Sequence, residues 1–149
     1  MTEPPSAQQV ARAPHPFRYA PYVSVTIAHF VWLAAVFALF MGRKPGVFRS
    51  QAILDVAPAF YSHISNFSLS YLLYAGVGFL WLMVGVSMRM LALAGLSLAV
   101  ANVTYELLLP LLNTRDPVDA VYGLIGTLLA FGWLCVIQRF GLREIPGKT

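Results

Sequence analysis

Residues 67–112 read FSLSYLLYAGVGFLWLMVGVSMRMLALAGLSLAVANVTYELLLPLL, with Arg89 and Glu106 as the only charges in the stretch. A helix that crosses a hydrocarbon core needs about 20 mainly apolar residues. The stretch is too long for one span and the right length for two. The joint is predicted at Ser87-Met88-Arg89-Met90, from which Arg89 can snorkel back to the headgroups. Working outward, a third apolar block covers residues 22–41 and a fourth residues 118–140. The expected fold is an all-α membrane protein. It is a four-transmembrane-helix bundle with spans at about 22–41, 67–88, 90–112 and 118–140, short connections, and one longer loop, 42–66, between helices 1 and 2.

Composition supports this reading. Of 149 residues, 58% are hydrophobic and 11% charged, against roughly 45–50% and about 25% in soluble domains. The net charge of +4 comes from Lys and Arg scattered singly or in pairs around the apolar blocks. A nucleic-acid footprint needs a basic patch or stripe, so no nucleic-acid partner is expected. The single cysteine, Cys135, excludes an intramolecular disulfide and a CxxC redox pair.

Residues 1–20 are polar and proline-rich and are predicted as a disordered cytoplasmic tail. Residues 21–141 form the transmembrane domain, and residues 142–149 a C-terminal tail. The first apolar block is long enough to remain as a signal anchor. Between the first two spans, residues 47–61 mix apolar and polar side chains and are expected along the membrane surface as a short amphipathic helix. Four spans put both termini on one side. That side carries Arg12, Arg18, Arg89, Arg139, Arg143 and Lys148, and the other Arg43, Lys44, Arg49 and Arg115. The excess favours cytoplasmic termini.

Lipid supplies no hydrophobic drive for helix association, so packing rests on close approach through small residues. Such stripes run through Ser24, Ala28, Ala35, Ala38 and Gly42; through Gly78 and Gly85 in line with Tyr71; through Ala92, Gly95, Ala99, Asn102 and Glu106; and through Asp119, Gly123, Gly126 and Ala130. Steps of three and four keep each set on one helix face. The expected result is a compact left-handed bundle with small residues inside and Leu, Phe and Trp outside, or a homo-oligomer that uses one stripe.

Function is expected where the third span ends and the fourth begins. Glu106 is the only acidic residue deep in an apolar block. At that depth an ionisable group is costly unless paired or hydrated. Asn102 lies one turn earlier as a hydrogen-bond donor, and Arg115 follows as a counter-charge. Pro110 has no N–H, which frees the carbonyl of Glu106 and favours a kink. By topology His63, Ser65 and Asn66 enter the second span at the same surface. There they can face Glu106, Arg115, Asp116 and Asp119, with Tyr122 closing the cluster. Asp116-Pro117 with Asp119 also has the pattern of an ordinary helix start: N-cap, N1 proline and N3 acid.

The remaining polar features suggest no chemistry. His29 lies mid-span without a second histidine at its depth, so it is expected as a hydrogen-bonded packing residue and not a haem ligand. Walker loop, zinc motif, nucleophile elbow and GxGxxG are all missing from the sequence. No cofactor, metal site or catalytic residue is expected, and an enzyme is the least favoured class.

From about Asn102 to Ala130, with the apolar hairpin before it, the chain resembles the VanZ-like family of bacterial membrane proteins. That family has a Glu near the end of a span, an Arg nine residues on, an Asp opening the next span, then an Asn and spaced glycines. Glu106 and Arg115 keep the interval, Asp119 stands as the acid, and Gly126 falls on a family glycine. The Gln three after the Glu is Leu109 here, and the Asn four after the Asp is Gly123. The Arg-to-Asp interval is shorter by about two residues. The Asp-Lys-then-His signature of the preceding helix is replaced by His63-Ile64-Ser65-Asn66. The resemblance implies a divergent member acting in the cell envelope, in a family associated with glycopeptide-antibiotic resistance.

Together these readings predict a multi-pass protein of the bacterial inner (cytoplasmic) membrane. It binds a membrane lipid or lipid-linked envelope precursor, through its polar headgroup, at Glu106, Asn102, Arg115, Asp119, Asp116, His63, Asn66 and Tyr122. Two alternatives are a small oligomeric proton-coupled transporter that uses Glu106, and an accessory or assembly subunit of a larger membrane complex.

Overall fold

A computed structural model describes residues 17–108 and 116–146. In chain order it has a short strand β1 (Tyr19–Pro21), helices α1 (Val23–Met41), α2 (Gln51–Val56), α3 (Phe60–Val84), α4 (Met88–Leu108) and α5 (Pro117–Val136), a π-helical turn (Ile137–Gly141), and strand β2 (Leu142–Glu144). Four of these helices are long and apolar enough to cross a membrane. Their outward faces carry large apolar side chains such as Trp32, Phe37, Leu93 and Leu128, as contact with lipid requires.

The helices do not pack in sequence order. α3 and α5 form the central pair, α1 lies against α3, and α4 lies against α5. Glycine makes the central contact possible. A side chain at Gly126 would collide with the backbone carbonyl of Phe67, and one at Gly78 with Leu134. On α5 the inward face is Ala120, Gly123, Gly126, Thr127, Ala130 and Leu134, close to the predicted stripe. On α4 Gly95 and Glu106 are buried, whereas Ala92 faces outward and Leu91 takes its place.

α1 departs from expectation. Ser24, Ala28 and Ala35 are exposed, and the helix buries His29 and Val36 instead. Since α1 packs mainly on α3, one narrow seam suffices, and the larger side chains fill it. His29 stacks on Phe79 with ring centroids 4.2 Å apart. Its Nδ1 accepts a hydrogen bond from Trp133 Nε1 at 3.1 Å. It is a hydrogen-bonded packing residue that ties α1 to α3 and α5.

Element boundaries moved for identifiable reasons. α3 starts at Phe60, seven residues before the predicted span. Hydropathy reports lipid contact, not helicity, so the polar turn Ser62-His63-Ile64-Ser65-Asn66 looked like loop although it is helical. Residues 60–61 of the expected surface helix belong to α3, and only Gln51–Val56 of that helix forms. The turn into α4 comes at Gly85, whose φ of 94° caps α3 in the left-handed conformation; Arg89 is therefore already in the first turn of α4.

The tails also differ. From the sequence, residues 1–20 are expected as disordered apart from interfacial Phe17 and Tyr19, and residues 142–149 as a C-terminal tail. In fact Tyr19–Pro21 pairs antiparallel with Leu142–Glu144. The Arg18 N–H donates to the Met83 carbonyl at 2.8 Å and the Ile145 N–H to the Arg18 carbonyl at 3.0 Å. The π-helical turn at the end of α5 shifts the chain exit so that β2 meets β1. The residues entering α1 and leaving α5 are thus held together at one end of the molecule.

The central contact makes a prediction. Gly126→Ala should destabilise the fold by about 1–3 kcal/mol, the usual cost of overpacking, because backbone cannot yield as a side-chain tip can. Gly132, with open space around its Cα, should accept alanine with little change. Thermal unfolding of the two variants in detergent checks this.

Candidate functional site

The end of the molecule opposite the strands gathers the polar residues singled out by the sequence. Three segments meet there: the first two turns of α3, the last two turns of α4, and the first two turns of α5. The α1–α3 connection lies over them. The Ser50 N–H donates to the Tyr61 hydroxyl at 3.0 Å, and the Arg49 guanidinium stands 5.3 Å from the Tyr61 ring.

The residues form two tiers. The inner tier is built around Glu106, which is 2% exposed. Asn66 of α3 donates a hydrogen bond from Nδ2 to Glu106 Oε1 at 2.7 Å. This is a short, charge-assisted contact of the stronger kind. Asn102 was expected to serve Glu106 from one turn earlier on α4. Its amide instead lies over Gly123 of α5, where any side chain would overlap it. Asn102 Nδ2 is buried with no hydrogen-bond partner among the described residues. The bare glycine surface leaves that room, so the amide turned toward α5.

The outer tier lies one turn nearer the end, about 4.5 Å along α3 from Asn66 to His63 at ~1.5 Å per residue. His63 Nδ1 lies 2.8 Å from Asp119 Oδ1, within hydrogen-bonding distance. The same nitrogen lies 3.5 Å from Asp116 Oδ2. Asp116 is also the N-cap of α5: its Oδ1 accepts from the Val118 N–H at 2.9 Å and the Asp119 N–H at 3.4 Å. Pro117 stands at N1. The helix-start pattern in the sequence is therefore real for Asp116, while Asp119 does more than occupy N3. Tyr122 stands beside His63 with ring centroids 5.6 Å apart and completes the tier.

His63, Asp116, Asp119, Tyr122, Asn66, Asn102 and Glu106 thus come together as one mouth. His63 and Asn66 lie in the first two turns of α3. Arg115 and Pro110 lie outside the described residues. His63, Asp116 and Asp119 each offer one ligand atom, and these atoms lie within 4.8 Å of one another; no metal ligands are expected from the sequence. Sequence separations of 53 and 56 residues hide such a grouping from motif reading.

No family model, curated protein or solved structure matches this chain.

The inner tier yields a second prediction. Asn66→Leu removes a hydrogen bond to a charged group and should cost about 1.5–3 kcal/mol. Removing the carboxylate as well, in Asn66→Leu with Glu106→Leu, should recover part of that loss. A double-mutant cycle of unfolding free energies in detergent measures the coupling.

Proposed function

We propose that the chain is a divergent VanZ-like protein of the bacterial inner membrane, with both termini cytoplasmic, that binds the polar headgroup of an envelope lipid at this mouth. The observation that carries the reading is Glu106: a carboxylate 2% exposed inside a helix apolar enough to span a membrane. Carboxylates at such positions are expensive and mark binding or transport sites by default.

Further features support it. The buried Asn102 amide has no partner among the described residues and can donate to a ligand. The VanZ-like Asn four residues after the Asp is Gly123 here, and Asn102 reaches across from α4 to fill the space beside it. Finally, β1 and β2 pair beside each other, which suits an even number of spans with both ends on one side. The nine-residue interval from Glu106 to Arg115 adds the cation that a phosphate-bearing headgroup would need.

The test is lipid retention. Full-length protein is moved from nanodiscs of phosphatidylethanolamine and phosphatidylglycerol into mild detergent, and the lipid kept per chain is counted by native mass spectrometry. Glu106→Gln and Asn66→Ala should lose retained lipid by at least about tenfold, which is ~1.4 kcal/mol of affinity. Unchanged retention in both variants, with a lowered melting temperature, would mean that Glu106 and Asn66 form a structural clamp and not a site.

A further inference from the structure

The outer tier is more than a helix cap. Asp116 divides its two oxygens: Oδ1 serves the backbone of α5, and Oδ2 turns across to α3, 3.5 Å from His63 Nδ1. Asp119 Oδ1 approaches the same nitrogen at 2.8 Å. A single N–H on Nδ1 can satisfy the nearer oxygen only, since 3.5 Å lies beyond ordinary N–H···O bonding. Two carboxylates of like charge therefore converge on one imidazole nitrogen.

The spacing suits a metal ion. First-row divalent ions hold nitrogen and oxygen donors at about 2.0–2.2 Å, so donors at octahedral or tetrahedral angles sit about 2.8–3.6 Å apart. His63 Nδ1 stands 2.8 and 3.5 Å from the two carboxylate oxygens, inside that range, and the three ligand atoms lie within 4.8 Å of one another. The donors are also held in place. His63 is inside α3 with Tyr122 beside its ring, Asp119 is in the first turn of α5, and Asp116 is pinned by its capping bonds. The side chains of His63, Asp116 and Asp119 are 19%, 33% and 19% exposed, which leaves coordination positions open on the outer side. One imidazole with two carboxylates suits Zn²⁺, Mn²⁺ or Fe²⁺. Mg²⁺ and Ca²⁺ prefer all-oxygen shells.

We propose that His63, Asp116 and Asp119 form a binding site for a divalent first-row transition cation at the mouth between α3 and α5. The site does not depend on the headgroup reading, because it is measured with the metal alone.

Untagged full-length protein in detergent micelles, stripped with EDTA and desalted, is titrated with Co²⁺ and followed by its visible d–d absorption. Zn²⁺ is then added as competitor. The expected result is saturation at about one equivalent per chain and displacement by Zn²⁺, as an open three-ligand site allows. His63→Gln and Asp119→Asn should each weaken binding at least tenfold. Asp116→Ser is the sharper variant: serine keeps the N-cap acceptor, so the helix start survives while the carboxylate ligand is lost. It too should weaken binding at least tenfold, and it decides the matter if His63→Gln does not fold. Asp55→Asn, which removes a carboxylate of α2 outside the cluster, should bind as the parent does. Absence of saturable binding in the parent protein, or parent-like affinity in Asp116→Ser, overturns the proposal.

Discussion

The approach of α3 to α5 governs the rest of the structure. Where Gly126 meets the Phe67 carbonyl, and where Gly78 receives Leu134, the two helices come closer than side chains would allow. In an apolar surrounding, helix association rests on this kind of contact, because burying a leucine against protein is little better than leaving it in lipid. The contact sets the register of the first turns of α3 against the first turns of α5. His63 then falls opposite Asp119 and Asp116. Asn66, one turn on, reaches Glu106 of α4, which packs on the other side of α5. The polar mouth follows from glycine placement: the Gly126–Phe67 contact lies seven residues from Asp119 on α5 and four from His63 on α3.

The mouth has an internal order that follows from desolvation. The more deeply buried acid, Glu106, accepts a hydrogen bond from the Asn66 amide. The more accessible carboxylates, Asp116 and Asp119, are closer to the end of the helices and share an imidazole. An ionisable group placed deep in an apolar layer is costly unless it is met in this way. The opposite end of the molecule has a different character. There two short strands, a π-helical turn and backbone hydrogen bonds hold the chain entry to the chain exit. No charge cluster of metal-ligand geometry occurs at that end among the described residues.

The number of long apolar helices, their approximate extent and the identity of Glu106 as an anomaly were legible in the amino-acid sequence. They depend on local properties: about twenty apolar residues in a row, a glycine at a turn, a charge where none is expected. The α5 stripe and the Asp116 cap were legible for the same reason, since helical periodicity and N-cap chemistry act within a few residues. What the sequence could not carry is which helices touch. Apolar blocks of similar composition do not encode their neighbours, so α5 as the partner of α3, and α1 as a peripheral helix with its small residues outward, had to come from packing. The polar start of α3 was misread because hydropathy measures contact with lipid and not the backbone. From the sequence Arg115 is expected as the counter-charge of Glu106, and Asn102, one turn away on the same helix, as its amide donor. Tertiary packing gave that role to Asn66, because Gly123 offered Asn102 a space on α5. The sequence alone determined that a carboxylate lies within a helix long and apolar enough to cross a membrane. Only the fold decided what surrounds it, since side chains 40 or 56 residues apart meet through the geometry of helices and not through any spacing in the chain.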